Sequence, residues 1–119
     1  VAAIARRDVA KAFKIAHYFS KNPKEHPVQM ITGVLFNFVN NLIQYHSMMG
    51  VAEKQIATAL KIHPYFLKQF AVASRHYNST HAHFMLEELL DFDRKCKGVI
   101  PSSSNEYEHL REWLIKCAL

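Results

Sequence analysis

The feature that most constrains the fold is one long periodic segment near the middle of the chain. Its apolar residues recur at alternating steps of three and four, the spacing that places side chains on one side of an α-helix. The residues of this stripe are Val28, Ile31, Leu35, Phe38, Leu42, Tyr45 and Met49. The segment therefore predicts a central amphipathic helix, and Gly50 follows where a left-handed residue would cap it.

Helical signals also cover most of the remaining sequence. Asp8 is a good N-cap, and Pro64 suits the first position of a helix because its missing N–H is harmless there. The predicted helices begin at or near Val9, Val28, Glu53, Pro64, Thr80 and Asn105. The chain has 119 residues, half of them hydrophobic, and only 3 glycines. These features predict a single all-α domain, a compact bundle of about six helices.

Two segments lie outside these helices. Val1 to Ala5 is apolar and starts without a capping residue. We expect it to be the tail of a longer helix, so that the natural protein begins upstream. Pro101 followed by three serines indicates a flexible connector before the last helix.

The central helix carries an almost uncharged polar face opposite its apolar stripe. The residues that define this face are Asn37, Asn40, Asn41, Gln44 and Ser47. Such a face can pack on another protein at a lower desolvation cost than a face of lysines or glutamates. The alternative interpretation is a polar face that simply contacts solvent, and the residues alone leave both open.

Residues 53–76 offer a second functional hypothesis. A short helix, a turn at 61–63 and a longer helix from Pro64 form the outline of a helix-turn-helix, whose second helix can enter a DNA major groove. That second helix is mostly apolar, however, and only Lys68, Gln69, Arg75 and His76 could reach bases or phosphates. A free-standing helical DNA-binding domain is therefore the alternative to a protein-interaction domain.

The end of the helix predicted over 80–97 has an ordered arrangement of charges. Acidic residues precede basic ones, which suits the helix dipole and allows pairs four residues apart, such as Asp91 with Lys95 and Asp93 with Lys97. Gly98 can then cap the helix in the left-handed conformation. The Asp93 and Lys97 pair either fixes this helix end within the domain or contacts a partner.

The sequence lacks the patterns of common catalytic and metal sites. Its isolated glycines form no phosphate-binding loop, and His81 and His83 are two residues apart, so they point to different faces of a helix. Cys96 and Cys117 lie in helical patterns without a CxxC spacing, which indicates reduced, buried thiols. We therefore expect no catalytic residue, no metal and no cofactor in this chain.

Charge and hydropathy limit the cellular setting. The net charge is +5, from 15 Lys and Arg against 10 Asp and Glu, a mild excess that allows an anionic partner without requiring one. No apolar run is long enough for a transmembrane helix, and the first residues do not resemble a signal peptide. We therefore expect a cytoplasmic protein without membrane contact.

Four stretches in a fixed order carry a resemblance to one family. They run from Val1 to Ile15, from Leu35 to Tyr45, from Ile56 to Lys68, and through Asp93-x-x-x-Lys97-Gly98. In this order and spacing the chain resembles the C-terminal domain of the delta subunit of bacterial DNA polymerase III, a clamp-loader subunit. Phe36-Asn37-Phe38 with Tyr45-His46 is similar to the Bacteroidetes branch of that family.

The resemblance implies a collar domain, which packs with the C-terminal domains of the gamma/tau ATPase and delta-prime subunits into a ring. AAA+-like and clamp-binding domains would then lie upstream of this chain, and the sliding clamp and primed DNA would be contacted only through the full assembly. The fragment itself would not be an enzyme. The residues expected at the subunit interface are Asn37, Asn40, Asn41, Gln44, Tyr65, Lys68, Arg75, Asp93 and Lys97.

Overall fold

The computed structural model describes residues 1–97 and 106–118, and these residues form seven α-helices. No β-strand occurs in either described range, so the predicted all-α fold is confirmed. The predicted Gly98 cap, the connector after Pro101 and the start at Asn105 lie outside the described residues. The helices are α1 (Ala2–Ala5), α2 (Val9–Lys21), α3 (Val28–Ser47), α4 (Glu53–Leu60), α5 (Pro64–His76), α6 (Ser79–Cys96) and α7 (Glu106–Ala118).

Side-chain caps from Asp8 and Asn78 mark where α2 and α6 begin. The Asp8 carboxylate accepts a hydrogen bond from the backbone N–H of Lys11 at 3.2 Å, as the sequence predicts for the start of α2. The side-chain oxygen of Asn78 accepts one from the backbone N–H of His81 at 2.8 Å. Because of that cap, α6 starts one residue earlier than the predicted Thr80.

The central helix α3 ends before its apolar stripe does, which corrects the prediction that Gly50 caps it. Ser47 is its last residue, and Met49 lies in the following turn with 63% of its surface exposed. The Ser47 hydroxyl donates to the carbonyl of Gln44 at 2.7 Å, a local bond that competes with further helix. Met48 turns inward instead and packs on a small apolar cluster of α4 and α5. Gly50 supplies a positive φ of 91° inside the turn.

The helices α3 and α6 form the centre of the bundle. α6 packs against α3 and α7, while α7 also contacts α2, and α5 contacts both α1 and α3. The ion pairs of Lys95 with Glu112 and of Glu88 with Lys116 show that α6 and α7 run antiparallel. Trp113 of α7 is among the largest fully buried side chains. This packing leaves one side of α3 uncovered.

A buried tyrosine connects the first helix to the centre of the bundle. The hydroxyl of Tyr77, just before α6, donates to the carbonyl of Ile4 in α1 at 2.7 Å. The ring nitrogen Nε2 of His46 lies 2.8 Å from the Tyr77 carbonyl, so the C-terminal end of α3 meets the start of α6. Burial raises the pKa of the Tyr77 hydroxyl to about 12, although the nearby Arg7 guanidinium opposes that shift.

Arg7, in the turn between α1 and α2, forms side-chain hydrogen bonds to two other helices near Tyr77. Its Nε donates to the carbonyl of Ala118 at 2.9 Å, and one terminal nitrogen donates to the carbonyl of His76 at 3.0 Å. Those carbonyls belong to the last turns of α7 and α5, where helices have unpaired acceptors. The Arg7 backbone has a φ of 56°, the left-handed region that non-glycine residues rarely adopt. One residue with a left-handed backbone therefore connects the turn between α1 and α2 to the last turns of α5 and α7.

Candidate subunit interface

The outward side of α3 is a continuous uncharged surface. Asn37, Asn40 and Gln44 are exposed, and Asn41 is half-buried. All twenty residues of this helix lack Asp, Glu, Lys and Arg. The opposite side contains the buried residues of the apolar stripe, so helical spacing alone forces the amides outward. The structure therefore brings together the four amide side chains that the sequence singles out on this helix.

Asn41 connects this surface to α5. It lies one turn from both Phe38 and Tyr45, on the side of α3 that faces that helix. The rings of Phe38 and Tyr45 stack on Phe70 of α5, with centroid distances of 5.7 Å and 6.5 Å. Asn41 is the half-buried member of the four amides, and helical spacing places it where the uncharged surface meets the seam between α3 and α5.

The N-terminal half of α3 adds two exposed apolar side chains that the sequence interpretation missed. Met30 is 65% exposed and Val34 is 52% exposed, and each lies seven residues before an amide of the same side, Asn37 and Asn41 respectively. We call Met30, Val34, Asn37, Asn40, Asn41 and Gln44 the α3 face. The sequence signal was available, because neither Met30 nor Val34 belongs to the buried stripe.

A groove lies beside the exposed apolar end of the α3 face. It has a volume of about 210 Å³ and lies between α1, α2, α3 and α7. Ile4, Ile15 and Phe19 contribute to its apolar lining, and Met30 and Val34 stand at its edge. The α3 face is therefore apolar at one end and carries amides along the rest of its length.

The other predicted interface residues on α5 share one outward side. Tyr65 is 72% exposed, and Lys68 and Arg75 follow at spacings of three and seven residues, opposite the buried Leu67 and Phe70. Neither basic side chain forms an ion pair within the described part of the chain. The outward side of α5 therefore carries one aromatic and two unpaired positive charges.

The turn that leads into α5 has the predicted outline. Lys61 adopts a left-handed conformation with a φ of 56°, and His63 caps α5 through its ring nitrogen Nδ1, which accepts from the Tyr65 N–H at 3.1 Å. Pro64 is the first helical residue, as predicted. The helix-turn-helix outline of residues 53–76 is thus present as geometry.

The charged end of α6 differs in part from its prediction. Lys97 Nζ lies 2.8 Å from a carboxylate oxygen of Asp93, so the predicted pair forms within the domain. The predicted pair of Asp91 with Lys95 is wrong, because Asp91 contacts Arg94 at 3.2 Å and Lys95 reaches across to α7. Asp93 lies about 20 Å along α6 from the end that meets the C-terminus of α3. The Asp93 and Lys97 pair is therefore separate from the amides near that end.

His81 and His83 form structural contacts with backbone carbonyls. Nε2 of His81 lies 2.6 Å from the Cys117 carbonyl, and Nδ1 of His83 lies 2.8 Å from the carbonyl one turn earlier. Within the residues that the structure describes, no three His, Cys, Asp or Glu side chains are placed to hold a metal ion. Both cysteines are free. Burial raises the pKa of the Cys96 thiol to about 11 and of the Cys117 thiol to about 12, so neither is a ready nucleophile.

The length and hydropathy of the described helices bear on membrane insertion. None of them is both long enough and apolar enough to cross a bilayer.

The fold defines the class of all-helical bundles, here with a central helix whose outward side is uncharged. Residues 1–115 match the family described as DNA polymerase III delta subunit, C-terminal domain. The chain belongs to this family, which confirms the resemblance seen in its sequence and makes it a clamp-loader domain. No curated protein and no solved structure matches the chain. The similarity to the Bacteroidetes branch stays a prediction.

Proposed function

We propose that this domain is the oligomerisation module of a clamp-loader delta subunit and that it docks through the α3 face. One observation carries the proposal, namely a 20-residue helix with an exposed side and no charged Asp, Glu, Lys or Arg. Charged residues are depleted at the centres of protein interfaces, whereas solvent-facing helices normally carry them. The α3 face has the composition of a surface that becomes covered.

The arrangement within the α3 face suits docking of another helical domain. Met30 and Val34 at one end can bury apolar area against a partner, and the burial of apolar area is the main favourable contribution to most protein association. The amides along the rest of the face can exchange hydrogen bonds with water for bonds to a partner at a lower desolvation cost than charges. Tyr65, Lys68 and Arg75 on α5 extend the proposed contact as a polar rim.

The partners in this proposal are the gamma/tau ATPase and delta-prime subunits of the clamp loader, acting in the cytoplasm. Clamp opening and contact with primed DNA would belong to AAA+-like and clamp-binding domains upstream and to the assembled loader. The Asp93 and Lys97 pair is satisfied within the domain and fixes the end of α6. In this role the chain supplies rigid contact geometry and performs no chemistry.

A matched pair of isosteric substitutions tests the proposal. Gln44→Glu places a charge on the α3 face, and Gln55→Glu places the same charge on an exposed position of α4. Sedimentation velocity with purified ATPase and delta-prime subunits should show roughly tenfold weaker assembly for Gln44→Glu, the effect of an uncompensated interfacial charge. Gln55→Glu should assemble like the wild type. Equal assembly of both variants would remove the α3 face from the interface.

A further inference from the structure

One position on the outward side of α3 has no side chain. Gly33 is an interior residue of this helix and is exposed. Helical spacing places it on the same side as Met30, three residues before it, and as Asn37 and Asn40, four and seven residues after it. Gly33 therefore leaves a gap among the residues of the α3 face.

The fold itself does not require glycine at this position. A Cβ atom added at Gly33 would meet no atom of the described residues within 4 Å. The Gly33 backbone is helical, unlike that of Gly50, whose positive φ of 91° favours glycine. Glycine in a helix interior is less stable than alanine because it loses more conformational freedom on folding. Gly33 thus weakens the central helix, although its described surroundings would accept a side chain.

A close approach by a second helix accounts for this glycine. The axes of packed helices normally lie about 8–10 Å apart, at a distance that the contacting side chains determine. Where one residue has no side chain, a second helix can come closer and contact the backbone directly. The absence of Asp, Glu, Lys and Arg from α3 suits such a contact, because charged side chains are depleted at the centres of interfaces.

The charges around the α3 face define the chemistry of that second helix. A lysine or glutamate on its contacting side would lose water and find no opposite charge on α3. Toward α5 the surroundings are positive, since Lys68 and Arg75 form no ion pair within the described part of the chain. Charge complementarity therefore favours a helix with an uncharged contacting side and acidic residues along its edge near α5. A nucleic acid fits poorly, because its phosphates would find no lysine or arginine on α3.

We propose that a helix of a partner subunit, uncharged on its contacting side, crosses α3 at Gly33. This inference rests on the proposed docking through the α3 face and adds the point of closest approach. Met30 and Asn37 lie about one turn to either side of Gly33 and contact the crossing helix, while Gly33 makes room for its backbone. The glycine thus lowers the stability of the free domain and strengthens its assembly.

Side chains of increasing size at Gly33 test this contact. Gly33→Ala adds one methyl group and Gly33→Leu adds a larger apolar group, and both replacements favour the helix. Ala59→Leu adds apolar volume at an exposed position of α4 and is the matched control. Thermal melts followed by circular dichroism measure the stability of each variant. Sedimentation velocity with purified ATPase and delta-prime subunits measures its assembly.

The two measurements should change in opposite directions at Gly33. Gly33→Ala should raise the midpoint of thermal unfolding by roughly 2–5 °C, the effect of replacing glycine in a helix interior. The same variant should assemble roughly tenfold more weakly, since a methyl group at a close contact forces the two helices apart. Gly33→Leu should assemble more weakly still, and Ala59→Leu should assemble like the wild type.

Three outcomes would overturn the inference. One is a lower unfolding midpoint for Gly33→Ala, which would show that the fold itself requires glycine. Another is normal assembly of Gly33→Leu. If Gln44→Glu still weakens assembly in that case, the α3 face is the interface without a close approach at Gly33; if it does not, the proposed function fails as well. The third is self-association of the domain alone that Gly33→Leu abolishes, which would identify a second copy of this chain as the occupant.

Discussion

We predict that Arg7→Gly is more stable than Arg7→Ala, which reverses the usual stability order of alanine and glycine. Alanine normally stabilises relative to glycine because the unfolded chain loses less conformational entropy on folding. At Arg7 the native φ is 56°, a conformation that glycine adopts freely and alanine does not. Both substitutions remove the same side chain, so their difference isolates the backbone strain.

The magnitude follows from the contacts of Arg7. Its guanidinium donates to the carbonyls of Ala118 and His76 and lies 5.2 Å from the Tyr77 ring centre. A hydrogen bond from a charged group is worth about 1.5–3 kcal/mol, with the lower end appropriate to a partly exposed pair. Arg7→Ala should therefore lower the free energy of unfolding by about 3 kcal/mol. Arg7→Gly should lower it by about 2 kcal/mol, because it relieves about 1 kcal/mol of strain.

Urea unfolding followed by circular dichroism gives both values if the slopes of the transitions agree. Each variant serves as the control for the other, since the two proteins differ only at position 7. If Arg7→Gly is less stable than Arg7→Ala, the left-handed conformation of this turn is not a source of strain. If neither variant is destabilised by more than about 0.5 kcal/mol, the Arg7 contacts do not hold α5 and α7.

Three further predictions concern the core and the titrating groups. Tyr77 has a pKa of about 12 in the fold and about 10 in the unfolded chain, so the unfolded state loses its proton first as the pH rises. The free energy of unfolding should therefore fall by about 2–3 kcal/mol between pH 10 and 12. Tyr77→Phe should show a smaller alkaline loss of stability in urea titrations repeated at each pH. Phe38→Ala should cost about 3–5 kcal/mol because it leaves a cavity beside Phe70, whereas Asn37→Ala should leave the urea midpoint unchanged. Lys97→Ala should cost less than about 0.5 kcal/mol, since the Lys97 side chain is 66% exposed and gains little from its ion pair with Asp93, and a loss above 1 kcal/mol in the same titration would contradict this prediction.

Much of the fold could be predicted because the helical signals are local. The apolar period of α3, the Asp8 cap and Pro64 each act within one or two turns of chain. The errors arise where contacts between helices, and not local spacing, determine the position of a side chain. Met49 fits the apolar period, yet Met48 has the inward position because it can reach α4 and α5. Likewise Lys95 pairs with Glu112 of α7, a residue that no helical spacing relates to it.

Only part of the candidate interface could be predicted from the sequence. The amides of α3 face outward by spacing alone, so their shared surface could be predicted from the position of the buried stripe. The exposure of Met30 and Val34 was missed because, although neither belongs to the buried stripe, an isolated sequence does not show which sides of a helix its neighbours leave uncovered. The contacts of Arg7 and Tyr77 were also missed, since they join segments about 70 residues or more apart in sequence.

The most direct test of the central claim is protection of the α3 face from a thiol label. Gln44→Cys and Gln55→Cys each add one exposed thiol, and the native Cys96 and Cys117 should contribute little background because burial raises their pKa. Maleimide labelling is followed by mass spectrometry with and without the ATPase and delta-prime subunits. We predict that the subunits slow labelling at Gln44→Cys roughly tenfold or more and leave Gln55→Cys unchanged. Equal labelling rates at Gln44→Cys in a complex that has formed would contradict the account.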